Sequence, residues 1–266
     1  MKRWLPVIFI VLFIFSLAVS VSGRPLNDSL MQTNIIEASQ KLLLAAKRHD
    51  NTDSFVAVFS RIPVTALDQQ LPDDRYKKAF WINLYNAYTQ VLLARNPERY
   101  QNRNAFFGSR EINIAGKMLS LDDIEHGILR RSKIKWSLGY LNKWFPSAFE
   151  KKNRVNTVDY RLHFTLNCGA KSCPLIAFYM PEKIDKEMDI ATNTYLSSEC
   201  EYKEKENTIY LPAMMGWFRA DFGGKKNMRK LLQQLQIIPA GKHPTIKFKQ
   251  YDWNLFLENY KTTTNG

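Results

Sequence analysis

Histidine and cysteine are the scarce residues of this chain, four and three among 266. Three cysteines are too few to build a disulfide scaffold, and they leave one odd thiol if two of them pair. No internal repeat and no Gly/Ser- or Pro-rich linker divides the sequence, which argues for one domain over residues 24–266. Helical and strand patterns follow one another without a βαβ rhythm, so a doubly wound parallel sheet is not expected. No cysteine follows the apolar run at the N-terminus, which speaks against a lipid-modified terminus.

That run, "MKRWLPVIFIVLFIFSLAVSVSG", has two basic residues, an apolar stretch and then small residues. This is the layout of a secretory signal over residues 1–23. The alternative is an uncleaved membrane anchor. Export to the periplasm or the outside is the expectation, in a compartment where cysteines can pair. The net charge of +13 then points to anionic envelope surfaces or polymers as partners, and export argues against nucleic acid. Nothing in the sequence names a substrate or an oligomeric state.

Hydrophobic residues make up 45% of the chain, enough for a core. Apolar residues at helical spacing predict helices over 34–48, 73–95, 183–196 and 225–236. Ser120 predicts the N-cap of a short helix through residue 131. Hairpins are expected around Ala115-Gly116 and Glu206-Asn207, and strands over 160–168 and 245–253. The expected fold is α+β, with a central buried helix packed on an antiparallel sheet of hairpins.

The helix "FWINLYNAYTQVLLA" is apolar on nearly every side, as a central helix is. Its exception is a stripe of Asn83, Asn86 and Gln90, which either ties loop backbone to the helix or lines a pocket. In "SLDDIEHGILRR", a rotation of about 100° per residue puts Glu125 inside the apolar arc and His126 at its edge. A carboxylate there is costly unless paired, so Glu125 is either half of a structural ion pair or an acid/base group.

The densest chemistry lies in "RLHFTLNCGAKSCP", with His163, Cys168 and Cys173 in one short stretch. Read as a strand, it puts His163 and Asn167 on the face opposite Leu162 and Phe164. Three readings stand. Cys168, or in its place Cys173, is a nucleophile served by His163, with Asn86 or Glu125 orienting the imidazole and N–H groups around Gly169 as oxyanion donors. Alternatively His163, Cys168 and Cys173 hold zinc with a fourth ligand such as His126, although H-x4-C-x4-C matches no standard pattern. Or Cys168 and Cys173 form a disulfide, leaving Cys200 as the spare. No cofactor and no metal is expected.

Five motifs, "FWINLYNAYTQVLL", "LSLDDIEHGILR", "HFTLNCGAKSCP", "WFRADFG" and "YDWNLFL", occur in the order and rough spacing of the DUF547 family, a domain of unknown function. The resemblance covers residues 76–257. It implies Asn83, Asn86, Glu125, His126, Arg130, His163, Asn167, Cys168, Gly169, Cys173, Trp217, Asp221, Asp252 and Trp253 as motif positions, and no reaction. The architecture also resembles papain-like and transglutaminase-like enzymes. In those, however, the nucleophilic cysteine starts the central helix, and here that helix has none. Two functions remain in view: a thiol-dependent hydrolase or acyltransferase, and a non-enzymatic envelope-binding module with a Cys168–Cys173 disulfide.

Overall fold

A computed structural model describes residues 33–261. The signal or anchor expected at 1–23 lies outside the described residues. Among those described, no helix is long and apolar enough to cross a membrane.

The fold is organised around α4, Asp74–Arg95, which follows α1 (Ile35–Arg48), α2 (Asp53–Arg61) and α3 (Val64–Gln70). Asp73 caps α4 by accepting from the Arg75 and Tyr76 N–H groups, and the helix ends at Asn96 before Pro97. Between Ala79 and Leu93 every side chain but Leu92 is buried. The apolar stripe of α1 packs along α4 and buries Ile35, Leu42 and Leu43. Phe59 of α2 meets Phe80 edge-on, and Phe80 meets Trp81 in the same way.

After α4 come a 3-10 turn, Pro97–Asn102, and α5, Arg103–Gly108. The first hairpin forms as expected. Strands β1, Ile112–Ile114, and β2, Lys117–Leu119, pair antiparallel about Ala115 and Gly116, both at positive φ. Ser120 then caps the next helix reciprocally with Asp123: the Asp123 N–H donates to Ser120 Oγ, and the Ser120 N–H to Asp123 Oδ2. The capped segment, Asp123–Leu129, is a π-helix. Its wide turn is held by the Arg130 N–H on Glu125 O at 2.8 Å and the Ser132 N–H on Gly127 O at 2.7 Å.

Helix α6, Ala148–Asn153, leads to residues 160–168, where the expected strand does not form. Tyr160–Phe164 is a 3-10 helix. Asp159 accepts from the Arg161 N–H, Thr165 Oγ1 donates to Leu162 O, and no strand lies alongside. Leu162, His163 and Phe164 are all buried, so the alternation in the sequence does not mark a wet face.

Helix α7, Ile184–Glu199, precedes the second sheet, made of β3 (Glu201–Lys203), β4 (Thr208–Leu211) and β5 (Thr245–Phe248). Strands β3 and β4 form the expected hairpin, with Asn207 left-handed at its turn. Strand β5 joins β4 in parallel and ends at Phe248, short of the expected Trp253. Between β4 and β5 lie α8, Ala213–Trp217, and α9, Gly224–Gln234, and Met228 and Leu232 of α9 fill a second apolar cluster with Ile209 and Leu211. The fold is α+β, as expected. It differs in having two small sheets, one of them mixed, and in packing its central helix mainly on α1 and the π-helix rather than on a sheet.

Candidate functional site

Six stretches distant in sequence surround one cavity of about 540 Å³. Tyr85 comes from α4, Arg103 and Asn104 from α5, and Asp122, Glu125 and His126 from the start of the π-helix. The wall is completed by His163 and Cys168, by Trp217 and Phe218 at the end of α8, and by Tyr251 and Trp253 after β5.

Behind the wall runs a row of charged and polar groups. His163 Nε2 lies 2.9 Å from Asp221 Oδ2, and because a carboxylate only accepts, this nitrogen carries the proton. The Arg130 Nε–H donates to the same oxygen at 2.6 Å. Neither Arg130 nor Asp221 has any side-chain exposure. An Arg130 Nη1–H donates to His126 Nδ1 at 2.9 Å, which leaves the His126 proton on Nε2, facing Asp122 at 3.5 Å. Lys135 closes the row on Asp122 at 2.9 Å. Phe218 packs against it: the His163 ring stacks on Phe218 at 4.1 Å, and the Arg130 guanidinium sits 4.3 Å from the same ring.

This row sets the protonation states. Burial pushes His163 below its ordinary value, against the pull of Asp221, so it is a neutral base at pH 7. Burial also raises the Asp221 carboxyl, but the hydrogen bonds from His163 and Arg130 outweigh that and hold it lowered. Gly139 makes room for the pair. It sits at φ +86°, and a Cβ there would lie 2.4 Å from Asp221 Oδ1.

Cys168 and Cys173 are free thiols. Cys168 faces the cavity and Cys173 lies behind it, buried. The Cys168 N–H donates to Cys173 Sγ at 3.0 Å, and the Tyr251 hydroxyl lies 3.4 Å from Cys168 Sγ and 3.1 Å from Cys173 Sγ. Hydrogen bonding from Cys173, with help from Tyr251, lowers the Cys168 thiol against the opposing effect of burial. Burial raises Cys173 well above its ordinary range. Cys200 stands apart at the end of α7, pushed up to about 12 by burial. Tyr85, kept protonated by burial, donates to Glu125 Oε2 at 3.2 Å.

Several expected roles fall elsewhere. Asn83 and Asn86 do not line the cavity. Asn83 clamps the Tyr179 backbone through both its N–H and its C=O, and Asn86 holds Thr165 O and the Asn167 N–H. Asn86 therefore does not orient His163; Asp221 does. Gln90 is buried in α4 away from the cavity. Asn167 accepts from the Gly169 N–H at 2.9 Å and donates to Pro174 O. The Cys168 and Gly169 N–H groups are thus occupied within the loop and are not oxyanion donors. Gly169 is required by its φ of +83° and by Leu93, whose Cδ1 would lie 2.9 Å from a Cβ. Asp252 shapes the turn before Asn254. His163 is held through Nε2 by Asp221, and the described residues contain no cluster of His, Cys, Asp and Glu able to hold a metal.

Sequence reasoning missed Tyr85, Phe218, Tyr251 and Gly139 as parts of the site. Tyr85 was hidden in an apolar helix face. Phe218 and Tyr251 each adjoin a motif residue, which was their one available signal.

Residues 69–196 match the family model described as "Protein of unknown function, DUF547". No curated protein and no solved structure matches the chain. Trp217, Phe218, Asp221, Tyr251 and Trp253 lie beyond the matched stretch.

Proposed function

We propose, for a chain that belongs to the DUF547 family through residues 69–196, that the cavity performs thiol-dependent acyl transfer or hydrolysis. The observation that carries this reading is the shared cavity itself, where the lowered Cys168 thiol and the Asp221-oriented His163 both line one open cleft. A loaded acyl group would enter along the Trp217 and Trp253 rings, which stack at 5.5 Å. Cys168 Sγ attacks the carbonyl carbon and forms a thioester as the leaving group departs. His163 takes the thiol proton at Nδ1 and delivers it to that leaving group. Water or an acceptor alcohol or amine then attacks the thioester, gives a proton to His163 and frees the thiolate. Asp221 holds the imidazole through Nε2 and stabilises its charged form, and buried Arg130 keeps Asp221 ionised. Side-chain donors on the wall, Asn104 and Lys135 among them, take the place of the backbone donors engaged around Gly169. The signal-like layout of residues 1–23 supports a place for this chemistry outside the cytoplasm.

Iodoacetamide labelling with peptide mapping tests the reading. Cys168 should react near pH 6, ahead of Cys173 and Cys200. Cys168→Ser and His163→Ala should each abolish turnover of a panel of activated esters and thioesters. Cys168 labelling no faster than Cys200 would overturn the proposal. A second reading rests on the contact between the two thiols: reversible Cys168–Cys173 disulfide formation, with Cys168 attacking and Cys173 resolving. A loss of two hydrogens in mass on mild oxidation, reversed by dithiothreitol, supports it.

A further inference from the structure

The segment after the π-helix, residues 131–147, carries aromatic side chains that the fold leaves in solvent. Trp136 is 76% exposed, Trp144 88% and Phe145 94%. Tyr140 and Leu141 are also exposed. Scattered exposed apolar residues are ordinary, but with Leu138 there are six of them in the ten residues 136–145, a patch that calls for a partner.

The exposure does not come from a loose loop. Lys133 pairs antiparallel with Asn142, the Ile134 N–H donates to Leu141 O at 2.9 Å, and the Lys143 N–H to Ser132 O at 2.7 Å. Ser137 Oγ closes the turn by donating to Ile134 O and accepting from the Leu141 N–H. The inner side is fastened to the site: the Ala220 N–H donates to Leu138 O at 3.0 Å, and Gly139 lies against Asp221 and Arg130. A rigid hairpin therefore covers the buried ion pair with one side and offers its aromatics with the other.

Its charge is of one sign. From Gly127 to Phe149 the sequence has no Asp or Glu, while Arg131, Lys133, Lys135 and Lys143 interleave with the aromatics. Lys135 and Lys143 pair with Asp122 and Glu150. Arg131 and Lys133 have no acidic partner among the described residues. Tryptophan and phenylalanine ringed by basic residues suit the headgroup level of an anionic bilayer, where rings sit between water and acyl chains and cations meet phosphate. A second copy fits less well, since a two-fold contact would set these cations against themselves.

We propose that the 131–147 hairpin docks the protein on an anionic lipid surface. Lys135 belongs both to this hairpin and to the cavity wall, so docking brings the cavity rim to the lipid–water boundary.

The test is tryptophan quenching of the full chain by vesicles of phosphatidylglycerol with brominated acyl chains. The contribution of the hairpin is the difference between wild type and Trp136→Tyr/Trp144→Tyr, which separates it from any contribution of Trp4 in the N-terminal segment. The expected result is a hairpin contribution that accounts for most of the quenching. It should weaken at least about fivefold on brominated phosphatidylcholine, and likewise in Arg131→Glu/Lys133→Glu on the anionic vesicles, given the worth of each basic residue near such a surface. Circular dichroism and thermal unfolding check that the variants fold. Equal quenching of wild type and the tyrosine variant would overturn the proposal, as would a hairpin signal indifferent to lipid charge. So would sedimentation velocity showing wild-type self-association that Trp144→Ser/Phe145→Ser abolishes, without hairpin quenching on vesicles. Binding of the hairpin to an acidic protein with no quenching on lipid would also overturn it.

Discussion

Two sets of buried polar groups lie within this core, and they are finished differently. Asn83 and Asn86 on α4 are matched on both amide atoms: each donates to a backbone carbonyl and accepts from a backbone N–H some eighty or more positions away. Arg130 and Asp221 are as deeply buried, yet Arg130 Nη2 and Asp221 Oδ1 have no hydrogen-bond partner among the described residues, and their remaining atoms hold two histidines. A polar core group that closes on backbone fixes a loop. One that closes on titratable side chains, with capacity left over, sets their protonation. The first set builds the 165–179 segment, and the second prepares His163.

The sharpest way to break the contrast is Arg130→Ala. It leaves Asp221 buried and uncompensated, and unfolding in urea should show a loss of about 3–5 kcal/mol. Asn86→Ala leaves no charge uncompensated and should cost about 1–3 kcal/mol for each backbone group it orphans at Thr165 and Asn167, a comparable loss of stability. If the sets differ as described, Asn86→Ala, measured well below its unfolding midpoint, leaves the pH profile of Cys168 alkylation where it was, whereas His163→Ala alters that profile.

The pH dependence of stability separates the sets further, because the amides do not titrate. His163 is held below its ordinary value of 6.5 in the folded protein. The unfolded chain therefore binds more protons between the two values. The share of His163 in stability is whole above pH 6.5 and is lost as pH falls from there through the lower folded value. Asp221, lowered from 3.8, adds a second loss as pH drops below that point. Urea midpoints from about pH 8 to about pH 4 should decline across the first window in wild type and flatten there in His163→Phe.

The smallest expected effect is that of Tyr251→Phe. It removes one hydroxyl from between the two sulfurs, at a cost of about 0.5–1.5 kcal/mol. It should shift Cys168 alkylation to higher pH, since one of the bonds lowering that thiol is gone. No shift would mean that Cys173 alone holds the thiol down.

Much of the scaffold was legible because its signals are local. Helices α1 and α4 show their period and caps, and the hairpin turns carry Gly116 and Asn207, residues suited to positive φ. The 160–168 stretch misled because its alternation of apolar and polar residues follows neither burial, since 162–167 are all buried, nor pairing with a neighbouring strand. The π-helix breaks the assumed rotation, so His126, read at the edge of the apolar arc, is buried while Glu125, read inside it, is only half-buried, and nothing in "DDIEHGIL" announces that. In the site, Cys168 and His163 stood out by rarity. The orienting carboxylate did not, since Asp221 lies 58 positions from His163 and only the fold joins them. Tyr85 was concealed because its ring obeys the apolar pattern while its hydroxyl does not.

The spread of the cavity along the chain has a consequence for biogenesis. A chain emerging from its N-terminus presents both thiols, at 168 and 173, well before Asp221 exists and longer still before Tyr251. Until those last segments dock, His163 has no carboxylate to orient it, and Cys168 lacks the hydroxyl that helps to stabilise its thiolate. On the proposed mechanism the nascent protein would be chemically latent, and would gain its reactivity only when the segments carrying Asp221 and Tyr251 close over the rest. A chain cut after residue 196, where the family match ends, would keep Cys168 and Cys173 and lose both Asp221 and Tyr251.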